Sequence, residues 1–251
     1  MHNIHVKWPT ALWIVRHGES AGNVARDEAE AQGLERITIE AQRDVDVPLS
    51  PRGEVQAAAL GRWIAEQPVS QRPTAAICSP YLRARRTTEV ALREAGLPHL
   101  PLVVDERLRE REFGVLDRLT RKGIEKLFPE QAKLRTALGK FYHRPPGGES
   151  WCDVILRLRS VVDTLTRERR GERVLVVCHS VVVLCFRLLL EELTEAQILG
   201  IDREHDVANC SLTAYELAED RLRLRAFNFV APLEQQGAPI TTKPDVAIAI
   251  K

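Results

Sequence analysis

Neither sign of charge dominates this sequence. Its 36 Lys and Arg stand against 35 Asp and Glu, a formal balance of +1. Without a basic surplus there is no long-range pull toward nucleic acid or an anionic membrane surface, so neither is expected as a partner. Long apolar runs are also missing. The longest candidate, Val181 to Leu190, is broken by Arg187 and is too short to span a bilayer. Met1 to Pro9 lacks the apolar centre of a signal peptide. Cysteine is scarce and odd in number: Cys78, Cys152, Cys178, Cys185 and Cys210 are scattered, mostly in apolar runs. That excludes a disulfide framework and fits reduced structural thiols in a cytoplasmic protein. There is no internal repeat and no linker rich enough to divide the chain. A hydrophobic fraction of 44% is ordinary for a globular protein and supplies a sizeable core. The expectation is a single domain over residues 1–251, with its core at about 10–230 and a C-terminal tail at 233–251.

Short apolar runs alternate with helical patterns along the chain. Ala11 to Val15, Thr74 to Ser79, Leu102 to Val104 and Arg173 to Cys178 read as strands. Helical spacing follows at about Glu54–Glu66, with Val55, Ala59, Leu60 and Trp63 near one face, and at Tyr81–Ala95, stopped by Gly96. Ser20 to Gln32 reads as a polar helix or loop, and Val45 to Gly53 as a turn-rich stretch. Ser150-x-x-Asp153 has the form of a capping box opening a helix to about Arg169. An apolar helix follows His179-Ser180, and Ser211–Leu217 with Arg221–Phe227 reads as a hairpin wet on one face. The tail beyond Pro232 has no period and is expected to pack loosely or as an extended arm. This order predicts an α/β fold, a three-layer α/β/α sandwich with a mostly parallel central sheet.

Reactive residues stand where three of these strands end. The first ends in Arg16-His17-Gly18-Glu19-Ser20, the second in Ser79-Pro80-Tyr81-Leu82-Arg83, and the fourth in His179-Ser180. Parallel strands deliver their carboxyl ends to one edge, where ligands of such folds bind. Arginine offers a fixed fork of donors to a phosphate, histidine a nucleophilic nitrogen, and helix N-termini add N–H groups and a positive dipole end. The loop Leu108-Arg109-Glu110-Arg111-Glu112-Phe113-Gly114 adds a carboxylic acid.

In this order the motifs resemble the histidine phosphatase superfamily, which includes the cofactor-dependent phosphoglycerate mutases. They are Arg16-His17-Gly18-Glu19-Ser20 with Asn23, Pro48-Leu49-Ser50 with Gly53 and Gln56, Ser79-Pro80 with Arg83-Ala84 and Thr87, Leu108-x-Glu110 with Gly114, and Cys178-His179. The match runs from about Trp13 to Phe229. The resemblance implies a phosphoglycerate mutase-like fold in which His17 is the nucleophile and becomes a phosphohistidine. It implies that Arg16, Asn23, Arg83 and His179 bind the phosphoryl group, with Ser20 and Ser180 beside them, and that Glu110 is the acid and then the base. Two guanidinium groups and a second histidine supply the charge that phosphoryl transfer needs. No metal or other cofactor is expected. Two departures stand out: Ser180 replaces the usual glycine, and the charged stretch from Val24 to Asp44 is long, as for a lid or rim.

Other readings compete at single residues. Gly18-Glu19-Ser20-Ala21-Gly22 has the G-x-S-x-G form of a serine esterase elbow, which would make Ser20 the nucleophile. That elbow normally follows several strands, however, and here it follows the first. Glu112 competes with Glu110 as the acid, although spacing to Gly114 favours Glu110. Arg85 reads as part of a solvated helix face, and Asp44 with Asp46 as a turn before Pro48 rather than a metal pair. His2 and His5 stand alone, while Tyr81, Arg111 and Arg144 are candidates for a specificity pocket. A mutase needs extra cations for the substrate carboxylate. By resemblance, residues 114–122 lack the mutases' glycine, asparagine and lysine pattern, whereas Arg144 to Ser150 looks like a phosphatase loop. The expected activity is therefore metal-independent hydrolysis of a small phosphorylated metabolite, with mutase-type transfer as the alternative.

Overall fold

Six strands form one sheet in the order β3-β2-β4-β1-β5-β6 in the computed structural model, which describes residues 8–242. His2, His5 and the end of the C-terminal tail lie outside the described residues. The strands are β1 (Ala11–Arg16), β2 (Ala75–Cys78), β3 (Leu102–Val104), β4 (Arg173–Cys178), β5 (Leu212–Ala218) and β6 (Arg221–Phe229). β1, β2, β3 and β4 run parallel, and β5 is antiparallel to both β1 and β6. The sheet is thus mostly parallel, as the β-α alternation requires. The hairpin at its edge keeps Arg221, Arg223 and Arg225 exposed and buries Leu222.

Strand alternation divides the core in two. Leu12, Ile14, Val174 and Val176 face α6 (Trp151–Glu168) and α7 (Ser180–Leu190), where they meet Val154, Leu158 and Val182. Val15, Ala76, Leu175 and Val177 face the other layer, α2 (Pro51–Glu66) and α3 (Leu82–Glu94), and pack on Leu60, Ile64 and Ala91. Ser150 and Asp153 cap α6 reciprocally, as their spacing predicts. Among the described residues no helix is long and apolar enough to cross a membrane. The five cysteines are free, and burial pushes the Cys78 thiol up to about 11, which keeps it neutral.

Three expectations need correction. First, α2 begins at Pro51, not Glu54, with Ser50 as its cap: the Ser50 side chain accepts from Gly53 N, and Pro51 sits where a missing N–H costs nothing. Second, Val55 is exposed rather than on the core face with Trp63. Eight residues on a helix turn through two turns and roughly 80° more, enough to carry Val55 out of the buried stripe. Third, the described part of the tail is not loose. α9 (Ala231–Gln235) seats Leu233, fully buried, against Ala57, Ala59, Val90 and Cys210. A further helix, α8 (Glu195–Glu204), lies between α7 and the hairpin where the pattern is too short to be read.

The segment that reads as a long charged insertion is α1 (Ala21–Ala31) followed by an irregular loop. That loop docks on the stretch after residue 110: Ile37 N donates to the Arg118 carbonyl, and Thr120 N to that of Glu35. α4 (Arg121–Leu127) and α5 (Pro129–Tyr142) complete this side. Asp44 opens a short 3₁₀ turn, Asp44–Asp46, so the expected turn is present.

Candidate active site

β1 and β4 are neighbours at the sheet centre, yet the chain leaves them for opposite sides. From β1 it crosses to β2 beyond β4, and from β4 it crosses to β5 beyond β1. Such divergence opens a crevice at the carboxyl ends of the two strands. Arg16 ends β1 and His179 follows β4, and His17 N donates to the Cys178 carbonyl at 2.9 Å. The sheet register therefore sets the two histidines side by side. Their rings lie 5.1 Å apart at 65°, both fully buried.

The contacts of His17 define which nitrogen can react. Its Nδ1 lies 2.6 Å from the Gly18 carbonyl. A carbonyl only accepts, so Nδ1 carries the proton and, in the neutral ring, Nε2 carries the lone pair. Arg83 Nε donates to that Nε2 at 3.3 Å. Arg83, at the start of α3, is 3% exposed, and its guanidinium carbon sits 4.8 Å over the Tyr81 ring. Its outer edge is gripped by Asp44: Nη1 donates to Asp44 O and Oδ1, and Nη2 donates to Oδ2. Arg16 Nη1 donates to the Val207 carbonyl at 2.6 Å.

His179 caps α7 with extended backbone, and its Nε2 is hydrogen-bonded to Ser79 Oγ at 2.8 Å. Its Nδ1 is 3.9 Å from Glu110 Oε2, and the Tyr81 ring stands 5.0 Å away. Glu110 is 1% exposed and accepts from Arg111 N at 2.7 Å. Glu112 turns elsewhere and accepts from the Tyr81 hydroxyl at 2.8 Å. Burial and the Glu112 carboxylate push the Tyr81 phenol upward, so it remains a donor to that carboxylate. Of the two acids, Glu110 is the one set beside the histidines. Ser180 is the first residue of α7, half-buried next to His179. Among the described residues no group of three His, Cys, Asp or Glu side chains gathers where a metal could be held.

Ser20 and Asn23 have a structural task. Ser20 caps α1: its hydroxyl donates to Asn23 Oδ1 and accepts from Asn23 N, and Ser20 N donates to the same Oδ1. The hydroxyl is thus engaged by the cap, without the paired base that an esterase nucleophile needs. Arg85 pairs with Glu89 on an exposed helix face, as expected. Arg144 does not line the site: it is exposed and held by Asp153. Arg111 is buried and donates to the Glu149 carbonyl, and burial holds its guanidinium below the usual arginine range.

The turn that carries His17 is braced from two directions. Gly18 packs directly on Gly53: a Cβ on Gly18 would meet the Gly53 carbonyl at 2.6 Å, and one on Gly53 the Glu19 carbonyl at 2.0 Å. Ser50 Oγ donates to Glu19 Oε1, and Glu19 N donates to Gln56 Oε1 at 2.8 Å. On the far side Asn209 Nδ2 donates to the His17 carbonyl at 3.0 Å. Thr241, from the tail, joins the two braces: its hydroxyl donates to Asn209 Oδ1 and accepts from Gln56 Nε2, each at 2.9 Å. Asn209 and Thr241 escape sequence reasoning; Ser79 stands in a motif and Asp44 in an expected turn, but the partners of all four are announced by no local pattern. Thr241→Val is expected to cost about 1–3 kcal/mol of stability by leaving buried Asn209 Oδ1 short of a donor. It should also lower kcat more than it changes KM, with Thr241→Ser restoring both. Thermal unfolding and steady-state kinetics of the pair check this.

Comparison with known proteins agrees with the geometry. The family model of the histidine phosphatase superfamily (branch 1) matches residues 12–230. A human 6-phosphofructo-2-kinase/fructose-2,6-bisphosphatase 3 is 32% identical over 183 residues, covering 73% of this chain and 30% of that protein. The chain thus spans about a third of the length of that relative. A 2,3-bisphosphoglycerate-dependent phosphoglycerate mutase of Methylobacterium radiotolerans is 32% identical over 189 residues, 74% of this chain and 82% of that one. Among solved structures, a mycobacterial glucosyl-3-phosphoglycerate phosphatase, determined with VO3, superposes with a TM-score of 0.66 at 25% identity. It covers 88% of this chain and 99% of the other. With this match and with His17, Arg83 and His179 gathered at the ends of β1, β2 and β4, the chain belongs to the histidine phosphatase superfamily, branch 1.

Proposed function

We propose that this protein is a phosphomonoester hydrolase that works through a phosphohistidine at Nε2 of His17, on a small phosphorylated metabolite. The observation that carries the reading is the Nδ1 contact of His17 with the Gly18 carbonyl at 2.6 Å, which directs the lone pair of Nε2 toward Arg83. In the first step Nε2 attacks phosphorus and the P–O bond to the alcohol breaks, while Glu110 gives its proton to the departing oxygen. Arg16, Arg83, His179 and Asn23, with the Ser180 N–H, hold the equatorial oxygens. Positive charge on the phosphorylated ring is met by the Gly18 carbonyl. In the second step water attacks phosphorus, Glu110 takes the water proton, the P–N bond breaks, and phosphate leaves with His17 restored. Each step balances without a cofactor. The reading treats the chain as one histidine phosphatase domain and, from five free cysteines, places it in a reducing cytoplasm.

The direct test is phosphate release from p-nitrophenyl phosphate, with trapping of an acid-labile, base-stable phosphoenzyme. Activity is expected to survive EDTA. Full loss on chelation, restored by Mg²⁺, would overturn the metal-free mechanism. A 2,3-bisphosphoglycerate-primed mutase activity far above hydrolysis would move the assignment to phosphoryl transfer between substrates.

A further inference from the structure

The charged stretch from Val24 to Asp44 ends against Arg83. A guanidinium has two edges that can each grip a pair of oxygens: the end, made by Nη1 and Nη2, and the side, made by Nε and Nη2. Asp44 takes the end of Arg83, with Oδ1 accepting from Nη1 and Oδ2 from Nη2, each at 3.1 Å. The Asp44 carbonyl adds a third contact, accepting from Nη1 at 2.8 Å. The side edge is thereby turned inward, and its Nε reaches His17 Nε2 at 3.3 Å. The Tyr81 ring, 4.8 Å from the guanidinium carbon, supports one face. The ring limits the tilt of the group, and Asp44 fixes which edge points at His17.

The loop holds Asp44 in place by contacts of its own. Val47 N donates to the Asp44 carbonyl at 3.2 Å, closing the 3₁₀ turn. Across the same turn the Arg43 guanidinium clasps Asp46, Nε to Oδ2 at 2.7 Å and Nη2 to Oδ1 at 2.9 Å. Just upstream, Arg118 Nη2 donates to the carbonyls of Ala41 and Gln42 at 2.7 and 2.9 Å. Arg118 belongs to the segment after Glu110, so the loop is braced from the acid's side of the site. Exposure divides the pair: the Arg83 side chain is 3% exposed and that of Asp44 31%. Water at the carboxylate screens its charge, so it steadies the cation while cancelling only part of its field.

We propose that Asp44 is a positioning residue for phosphoryl transfer, acting through Arg83: it aims the Nε–Nη2 edge of the guanidinium, rather than the end, at the transferring phosphoryl oxygens. The inference rests on the phosphatase reading and adds a residue to its machinery. A fork aimed in advance matches the oxygens as they spread in the transition state, whereas a loosely held one still attracts the ground-state anion by charge alone. Loss of Asp44 therefore acts on turnover more than on anion binding. The 32–46 loop thus serves the reaction through one carboxylate, beyond any part it plays as a rim.

A double-mutant cycle between Asp44 and Arg83 tests it, with p-nitrophenyl phosphate as substrate and inorganic phosphate as inhibitor. Asp44→Asn keeps the volume and one acceptor but loses the two-oxygen grip. It is expected to lower kcat about 10–100-fold, the scale of a small misplacement of a reacting or charge-bearing group. Inorganic phosphate should inhibit it as strongly as the wild type or more strongly, because a negative charge near the anion is gone. Arg83→Lys supplies a point charge with no edge to aim. In that background Asp44→Asn should change kcat by less than about twofold. Asp44→Ala repeats the cycle with the carboxylate removed outright. Wild-type kcat in both Asp44 variants, or a loss equally large in the Arg83→Lys background, would overturn the proposal. So would phosphate inhibition that weakens in step with kcat, or a rise in kcat, which would mark Asp44 as an obstruction. A variant that unfolds loses activity whatever stands at position 83, and the cycle then counts against the role. If the wild type releases no phosphate through His17, the phosphatase reading itself falls; if it does, only the role of Asp44 is at stake.

Discussion

His17→Ala is expected to remove phosphate release altogether, a loss of about 10⁴-fold or more in kcat, because it deletes the nitrogen proposed to form the covalent intermediate. Arg16, Arg83 and His179 would still bind phosphate in the variant, so inorganic phosphate or vanadate should bind to His17→Ala while turnover vanishes. Ser20→Ala is the matched control. It deletes a helix cap, costing roughly 1 kcal/mol, and should leave substantial activity. Loss of activity in Ser20→Ala with retention in His17→Ala would assign the nucleophile to the serine. A phosphoenzyme label absent from His17→Ala and present in Ser20→Ala settles the identity independently of rate.

Glu110→Gln is expected to show a loss that depends on the leaving group. An alkoxide cannot depart from phosphorus without a proton, so alkyl monoesters should lose about 10²–10⁴-fold in kcat, the range of general acid–base catalysis. p-Nitrophenolate departs without one, so the first step with that substrate should be largely spared. The second step still needs a base for water. Glu110→Gln should therefore release a burst of p-nitrophenolate, one equivalent per site, and then stall as phosphoenzyme. Rapid-quench kinetics reads the burst. An equal loss on both substrates with no burst would assign the acid elsewhere, and Glu112→Gln is the comparison. Because Glu112 accepts from Tyr81 and not from the histidines, its variant should act mainly on stability and on the placement of the Tyr81 ring.

Much of the frame was legible because it rests on local chemistry. β1 and β4 are apolar runs ended by charged or ring-bearing residues, and α6 announces itself by a capping box. The start of α2 was misread because Pro51, Ser50 and Gly53 are turn residues as well as helix-start residues, and only hydrogen bonding separates the two. The tail was misread for a different reason. Leu233, Ala238 and Thr241 are buried and hold it, and their spacing makes no period. The expected turn at Asp44 is present, but its carboxylate reaches Arg83 across 39 residues of sequence.

The sequence by itself determined which reactive side chains this protein has and that they share one edge, because parallel strands place their carboxyl ends together whatever lies between them. Only the tertiary structure decided how those groups are aimed. It turned Arg83 by anchoring its far edge on Asp44, set Glu110 rather than Glu112 near His179, and tied the turn that carries His17 to Thr241. It also set the carboxylates of Asp44 and Asp117 near Arg83. These are contacts between residues far apart in sequence, fixed by packing of layers and loops, and periodicity carries no record of them.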